Sequence, residues 1–121
     1  MKEYEFSFGE IIILRDDLAE IIVKKGVVMN EDIIKECHSF LVKHLKTPFS
    51  LLINKKYEHS YTGEAQTMIS NLKELKVMGV VVGAKRSIIP SDILSKINQF
   101  NDSSIKLFNK RNQALEWLET A

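Results

Sequence analysis

The chain has 121 residues, of which 17 are basic and 16 acidic, for a net charge of +1, and 45% are apolar. That length makes one domain, residues 1–121, which buries roughly two thirds of the surface its unfolded chain exposes, so intrinsic disorder is excluded and no staple is required. The charge balance shows no basic excess or stripe of the kind nucleic-acid binders use, and the single cysteine, Cys37, closes no internal disulfide, which suits a reducing cytosol.

The first ten residues, MKEYEFSFGE, carry glutamates where a secretory signal has its apolar stretch. The longest apolar run, residues 11–14, has four residues, against the ~20 that span a bilayer. The expectation is a cytoplasmic protein with no integral membrane segment. Tyr4, Phe6 and Phe8 alternate with Glu3, Glu5 and Ser7, the period of an extended edge or the start of a strand. The three aromatics are either core or an exposed stripe that invites pairing with a second copy. Gly9 interrupts this segment. Residues 11–14 read as a strand, Arg15-Asp16-Asp17 as a turn, and residues 18–23 as the returning strand of a hairpin. Lys24-Lys25-Gly26 ends it.

Asn30 is a good N-cap, with Glu31 and Asp32 in the first turn favoured by the helix dipole. Over residues 31–45, Ile33, Ile34, Cys37, Phe40, Leu41 and Leu45 share one arc of an amphipathic helix, which Thr47-Pro48 stops. His44 falls on the apolar side in the last turn, where a histidine can satisfy free carbonyls. Residues 49–53 form an unbroken apolar strand, central and parallel by its pattern. Residues 63–72 form a second helix, and residues 77–82, VMGVVV, a buried strand closed by Gly83. Pro90-Ser91-Asp92 opens a third helix to Phe100, residues 101–103 are a loop, and residues 105–108 are the last strand. Asn109 is expected to cap a final helix in which Ala114, Trp117 and Leu118 share a face. The order β-β-α-β-α-β-α-β-α predicts an α/β fold with a mostly parallel mixed sheet and an N-terminal antiparallel hairpin.

The stretch NKKYEHSYTGEAQ, residues 54–66, leaves the central strand and enters a helix, the place where α/β sheets meet ligands and partners. Tyr57, His59, Ser60, Thr62 and Gly63 are its candidate contact residues. Lys85, Arg86 and Ser87 follow the next strand and fall at the same edge, either as solvated surface charges or, with the Gly63 amide, as a place for an anion. Thr62 is positioned to cap its helix. Cys37, His38, His44 and His59 make no metal pattern, since Cys37 and His44 stand roughly 10 Å apart along one helix. Neither a cofactor motif nor a paired acid and base or nucleophile triad can be placed, so the expected chain is not an enzyme.

The leading hairpin, the helix, the short apolar strand, the polar loop into a helix at a hydroxyl-Gly pair and the second strong strand resemble the STAS superfamily, the fold of bacterial anti-sigma-factor antagonists. The ending SSIKLFNKRNQALEWL looks like that of the small, largely uncharacterised bacterial STAS/SEC14-type proteins. The resemblance covers nearly the whole chain in element order. In antagonists of this family an Asp-Ser-Ser-Gly motif precedes the second helix, and phosphorylation of one serine switches partner binding. Here the matching residues are His59-Ser60-Tyr61-Thr62-Gly63. Gly63 fits and Thr62 supplies a hydroxyl, while the aspartate and the paired serines are missing; Thr62, or after it Ser60, is the position such a switch implies. Receiver domains of response regulators share the alternating plan, but their phosphoacceptor has no counterpart: Asp16-Asp17 lie in a hairpin turn and Asn54 ends the central strand. The resemblance implies a protein-interaction or regulatory module, docking another protein or a second copy as a homodimer. The SEC14-type relatives imply as the alternative a small-molecule or lipid-binding module, with an apolar cavity and an anionic group near Lys85 and Arg86.

Overall fold

The computed structural model describes residues 2–82 and 105–121. β1 (Lys2–Phe6), β2 (Gly9–Arg15) and β3 (Leu18–Val23) run antiparallel in succession, so the expected hairpin is a three-stranded meander and the alternating first segment is a full strand. Gly9 opens β2 instead of breaking it. Its φ is +156°, and an added Cβ would overlap the Ile22 carbonyl oxygen and lie 2.9 Å from Val23 Cα. Only glycine lets β3 pass this close.

β4 (Val28–Met29), α1 (Glu31–His44), β5 (Phe49–Asn54), β6 (Ser60–Tyr61), α2 (Gly63–Ser70), β7 (Leu75–Val81), β8 (Ile105–Phe108) and α3 (Arg111–Thr120) follow. The main sheet has the order β1-β2-β3-β5-β7-β8, and β3, β5, β7 and β8 are parallel. β5 is interior and buried along all but its last residue, as its unbroken apolar run predicts. The mixed α/β fold with antiparallel strands at its N-terminal side is the expected class.

Some boundaries move. α2 stops at Ser70, short of residue 72, and β7 begins at Leu75, two residues ahead of the expected start. Asn109 is not a cap: Lys110 holds that position and makes no side-chain bond to the helix. The first turn of α3 is anchored instead by Arg111, described below. The expected helix over residues 90–100 and the loop over residues 101–103 lie outside the described residues.

Alternation along the strands separates two faces. On one, Ile11, Ile21, Leu51, Ile53 and Val80 meet Ile34, Cys37 and Leu41 of α1 and Ala65 of α2. Each fully buried aliphatic side chain here stabilises the fold by roughly 2 kcal/mol. Tyr4 and Phe6 extend this face, each meeting the Phe40 ring edge-on at centroid distances of 4.9 and 5.1 Å, and Phe8 is buried. Phe8 is therefore core, and the half-buried Tyr4 and Phe6 pack over α1. On the other face, Leu18, Leu52 and Val81 pack against Ala114 and Leu118 of α3, and Trp117 sits 5.6 Å from Phe108 between ring centroids. No described helix is long and apolar enough to cross a membrane.

Candidate functional site

β5 delivers the chain at Asn54 to the carboxyl edge of the parallel strands. The segment beyond it is tied down by a two-stranded parallel strap that its sequence pattern does not announce. Val28 pairs with Ser60 and Met29 with Tyr61. The Gly26 N–H donates to the Glu58 carbonyl at 2.8 Å, and the Thr62 N–H to the Met29 carbonyl at 2.9 Å. Two-residue strands carry too little alternation to be read as strands.

The strap fixes three side chains. His59 is only 8% exposed. Its Nδ1 lies 3.1 Å from the Tyr57 carbonyl oxygen, which can only accept, so Nδ1 carries the proton. Nε2 is then the acceptor for the Tyr61 hydroxyl at 3.3 Å. Burial lowers the His59 pKa to about 4, the Tyr57 carbonyl raises it less, and the Lys55 charge lowers it further, so the ring is neutral at pH 7. Burial, aided by Cys37, pushes the Tyr61 phenol above its ordinary range. Thr62 completes the strap as the cap of α2, its hydroxyl accepting from the Ala65 N–H at 3.1 Å.

Lys55 stands one residue beyond β5. Its N–H donates to the Val81 carbonyl at 2.9 Å, and its Nζ lies 5.9 Å from the centroid of the Tyr61 ring. Nζ is buried without a hydrogen-bond partner, and burial lowers its pKa.

On the opposite face, Asn54 turns toward Glu20. This carboxylate is 2% exposed in the middle of β3. Arg111 reaches it through Nη2 at 2.7 Å and Nε at 3.0 and 3.1 Å, and the Asn54 amide donates to it at 2.9 Å. The carboxylate raises the Arg111 pKa, first by hydrogen bonding and then by charge, against some desolvation. An arginine in the first turn of a helix opposes the dipole, and a buried carboxylate beneath that turn offsets it. The arrangement joins β3, β5 and α3 and is a clamp, with no open position for a substrate atom.

The expected contact residues separate. Tyr57, Ser60 and Gly63 are exposed, Thr62 is half-buried at its cap, and His59 is interior, so it belongs to the support of the strap and not to its surface. Tyr57 borders an open cleft of about 290 Å³ that Glu5, Glu10, Ile22 and Lys24 also line. Lys85, Arg86 and Ser87 lie outside the described residues. Lys55 and the Glu20–Asn54–Arg111 clamp were not foreseen. Glu20 is visible as the single charge in the strand LAEIIV, and Asn54 as the polar end of FSLLIN.

Elsewhere, His44 takes its expected role in the last turn of α1, with Nδ1 3.0 Å from the Phe40 carbonyl, though its ring is exposed and stacks on Phe40 at 4.1 Å. Cys37 is a buried thiol whose pKa burial, then Glu36, pushes up to about 12, which makes it a poor nucleophile. Among the described residues, no three His, Cys, Asp or Glu side chains gather to hold a metal ion. Comparison with protein families, with curated proteins and with solved structures gives no match to this chain.

Proposed function

We propose that the chain is a non-catalytic, STAS-like interaction module that docks another protein, or a second copy of itself, through the outer side of the strap. One observation carries the reading. Val28, Val42 and Tyr57 are the strongly exposed large hydrophobics among the described residues, and two of them belong to the segments that form the strap: Val28, at 53%, in β4, and Tyr57, at 43%, three residues ahead of β6. Backbone bonds hold those segments in place before any partner arrives, which lowers the entropic cost of docking. Aromatic and aliphatic side chains presented in this way are what interface anchors consist of.

The hydroxyls of the strap give the surface a means of control. Phosphate on Ser60, which is exposed, or on Thr62 adds about two negative charges beside Val28 and Tyr57 and alters any apolar docking there. A reducing cytoplasm suits the unpaired, buried Cys37.

The test compares wild type with the Val28→Asp/Tyr57→Asp variant. Sedimentation velocity over a wide concentration range reports self-association, and affinity capture reports other proteins. The reading expects a dimer or a captured protein that the variant loses while its fold, followed by circular dichroism, is unchanged. A wild-type monomer with the same captured set as the variant defeats it. Lipid found by mass spectrometry in extracts of both proteins replaces it with the ligand-binding alternative.

A further inference from the structure

Among the described residues, the Nζ of Lys55 is the buried side-chain nitrogen that has no hydrogen-bond partner. Its position follows from the strand. Asn54 sends its amide to Glu20 on one face, so the next residue emerges on the other, with its own N–H fixed to Val81. The aliphatic stem runs toward the strap, where Nζ lies over the Tyr61 ring, 5.9 Å from its centroid. The polar side-chain atoms of Tyr61 and His59 are already committed. The Tyr61 hydroxyl serves His59 Nε2, and His59 Nδ1 serves the Tyr57 carbonyl. The neighbouring Lys56 rests its Nζ on a different ring, Tyr57, at 5.4 Å.

Burying an ammonium without an acceptor is unfavourable, and folded chains supply either a counter-charge or a neutral amine. The lowered pKa of Lys55 has burial as its cause. The group lacking here is an acceptor, and the carboxyl edge of parallel strands is where α/β sheets receive ligands. We propose that Lys55, at the end of β5 against the Tyr61 ring, anchors a site for a small oxyanion, a carboxylate or a phosphate. The residue is half-buried, and its flexible four-carbon stem lets Nζ adjust to an anion at the strap. The site is independent of the docking surface proposed above, since it uses the inner side of the strap and not Val28 or Tyr57.

The experiment titrates the isotopically labelled chain with sodium phosphate and, separately, with sodium acetate at constant ionic strength, followed by amide NMR. Saturable shifts at Lys55, Tyr61 and Gly63 are expected, at least tenfold weaker in Lys55→Met and within twofold of wild type in Lys56→Met. The anion that saturates first identifies the source as phosphate or carboxylate. Linear shifts, or equal shifts in Lys55→Met, mean adventitious ion contact only and overturn the proposal. Thermal unfolding in anion-free buffer is the second measurement. Replacing an unpaired buried amine by an apolar side chain of similar length should leave the Tm unchanged or higher. A clearly lower Tm, or failure to fold, shows the amine already partnered and also overturns it.

Discussion

Glu20 sits at the bottom of a sheet face with both carboxylate oxygens occupied by Arg111 and one of them also by Asn54. Removing one member of a buried pair leaves an uncompensated charge, whereas removing both leaves an ordinary apolar patch. Arg111→Ala should therefore lower the stability by about 2–4 kcal/mol, the lower values reflecting an arginine that is 44% exposed. The Glu20→Met/Arg111→Met double variant should recover most of this loss, to within ~1 kcal/mol of wild type. Urea denaturation of the two proteins measures the difference. His59 gives a second residue-scale expectation. Its folded pKa, about 4, is below the 6.5 of the free side chain, so the unfolded chain takes up the proton first as pH falls. The contribution is complete above pH 6.5 and is lost on going down toward pH 4, amounting to about 3 kcal/mol. Wild type should lose that much more stability than His59→Gln between pH 7 and 4, read from urea midpoints at each pH.

At the scale of elements, local chemistry decided what was legible. Asn30 and Thr62 are read as caps because a cap needs only a side chain and a backbone N–H three residues on, and both bonds form as expected. Thr62→Ala should cost ~1 kcal/mol, and Thr62→Asp, which can also accept from Ala65, should restore most of it; thermal or urea unfolding distinguishes them. Asn109 fails by the same logic. It is a good capping residue, but α3 is set by a bond between Arg111 and Glu20, 91 positions apart, that no local window contains. The strap of β4 and β6 was illegible for a related reason: its partners are far apart in sequence and each is too short to show a period. Lys55 lies inside the loop singled out from the sequence, yet its isolation depends on where Tyr61, His59 and Val81 come to rest.

At the scale of the whole molecule, the described residues are organised by the six-stranded sheet, with α1 and α2 packed on one face and α3 on the other. The order of strands and helices fixes the parallel core, and alternation within each strand fixes the faces, which is why the class of fold was readable without long-range information. What patterning does not show is that the second face depends on α3. Leu18, Leu52 and Val81 are closed off by Ala114 and Leu118, and Glu20 is neutralised from the same helix. A chain lacking residues 111–121 should lose cooperative urea unfolding and near-ultraviolet dichroism while keeping much of its far-ultraviolet signal, the behaviour of a collapsed state without fixed packing. The same dependence sets an order of events during synthesis. β3 and β5 are made long before residue 111, so a nascent chain holding both strands carries in the seam between them a carboxylate that only the Asn54 amide can meet. Only when Arg111 is free of the ribosome can α3 dock, neutralise Glu20 and close that seam.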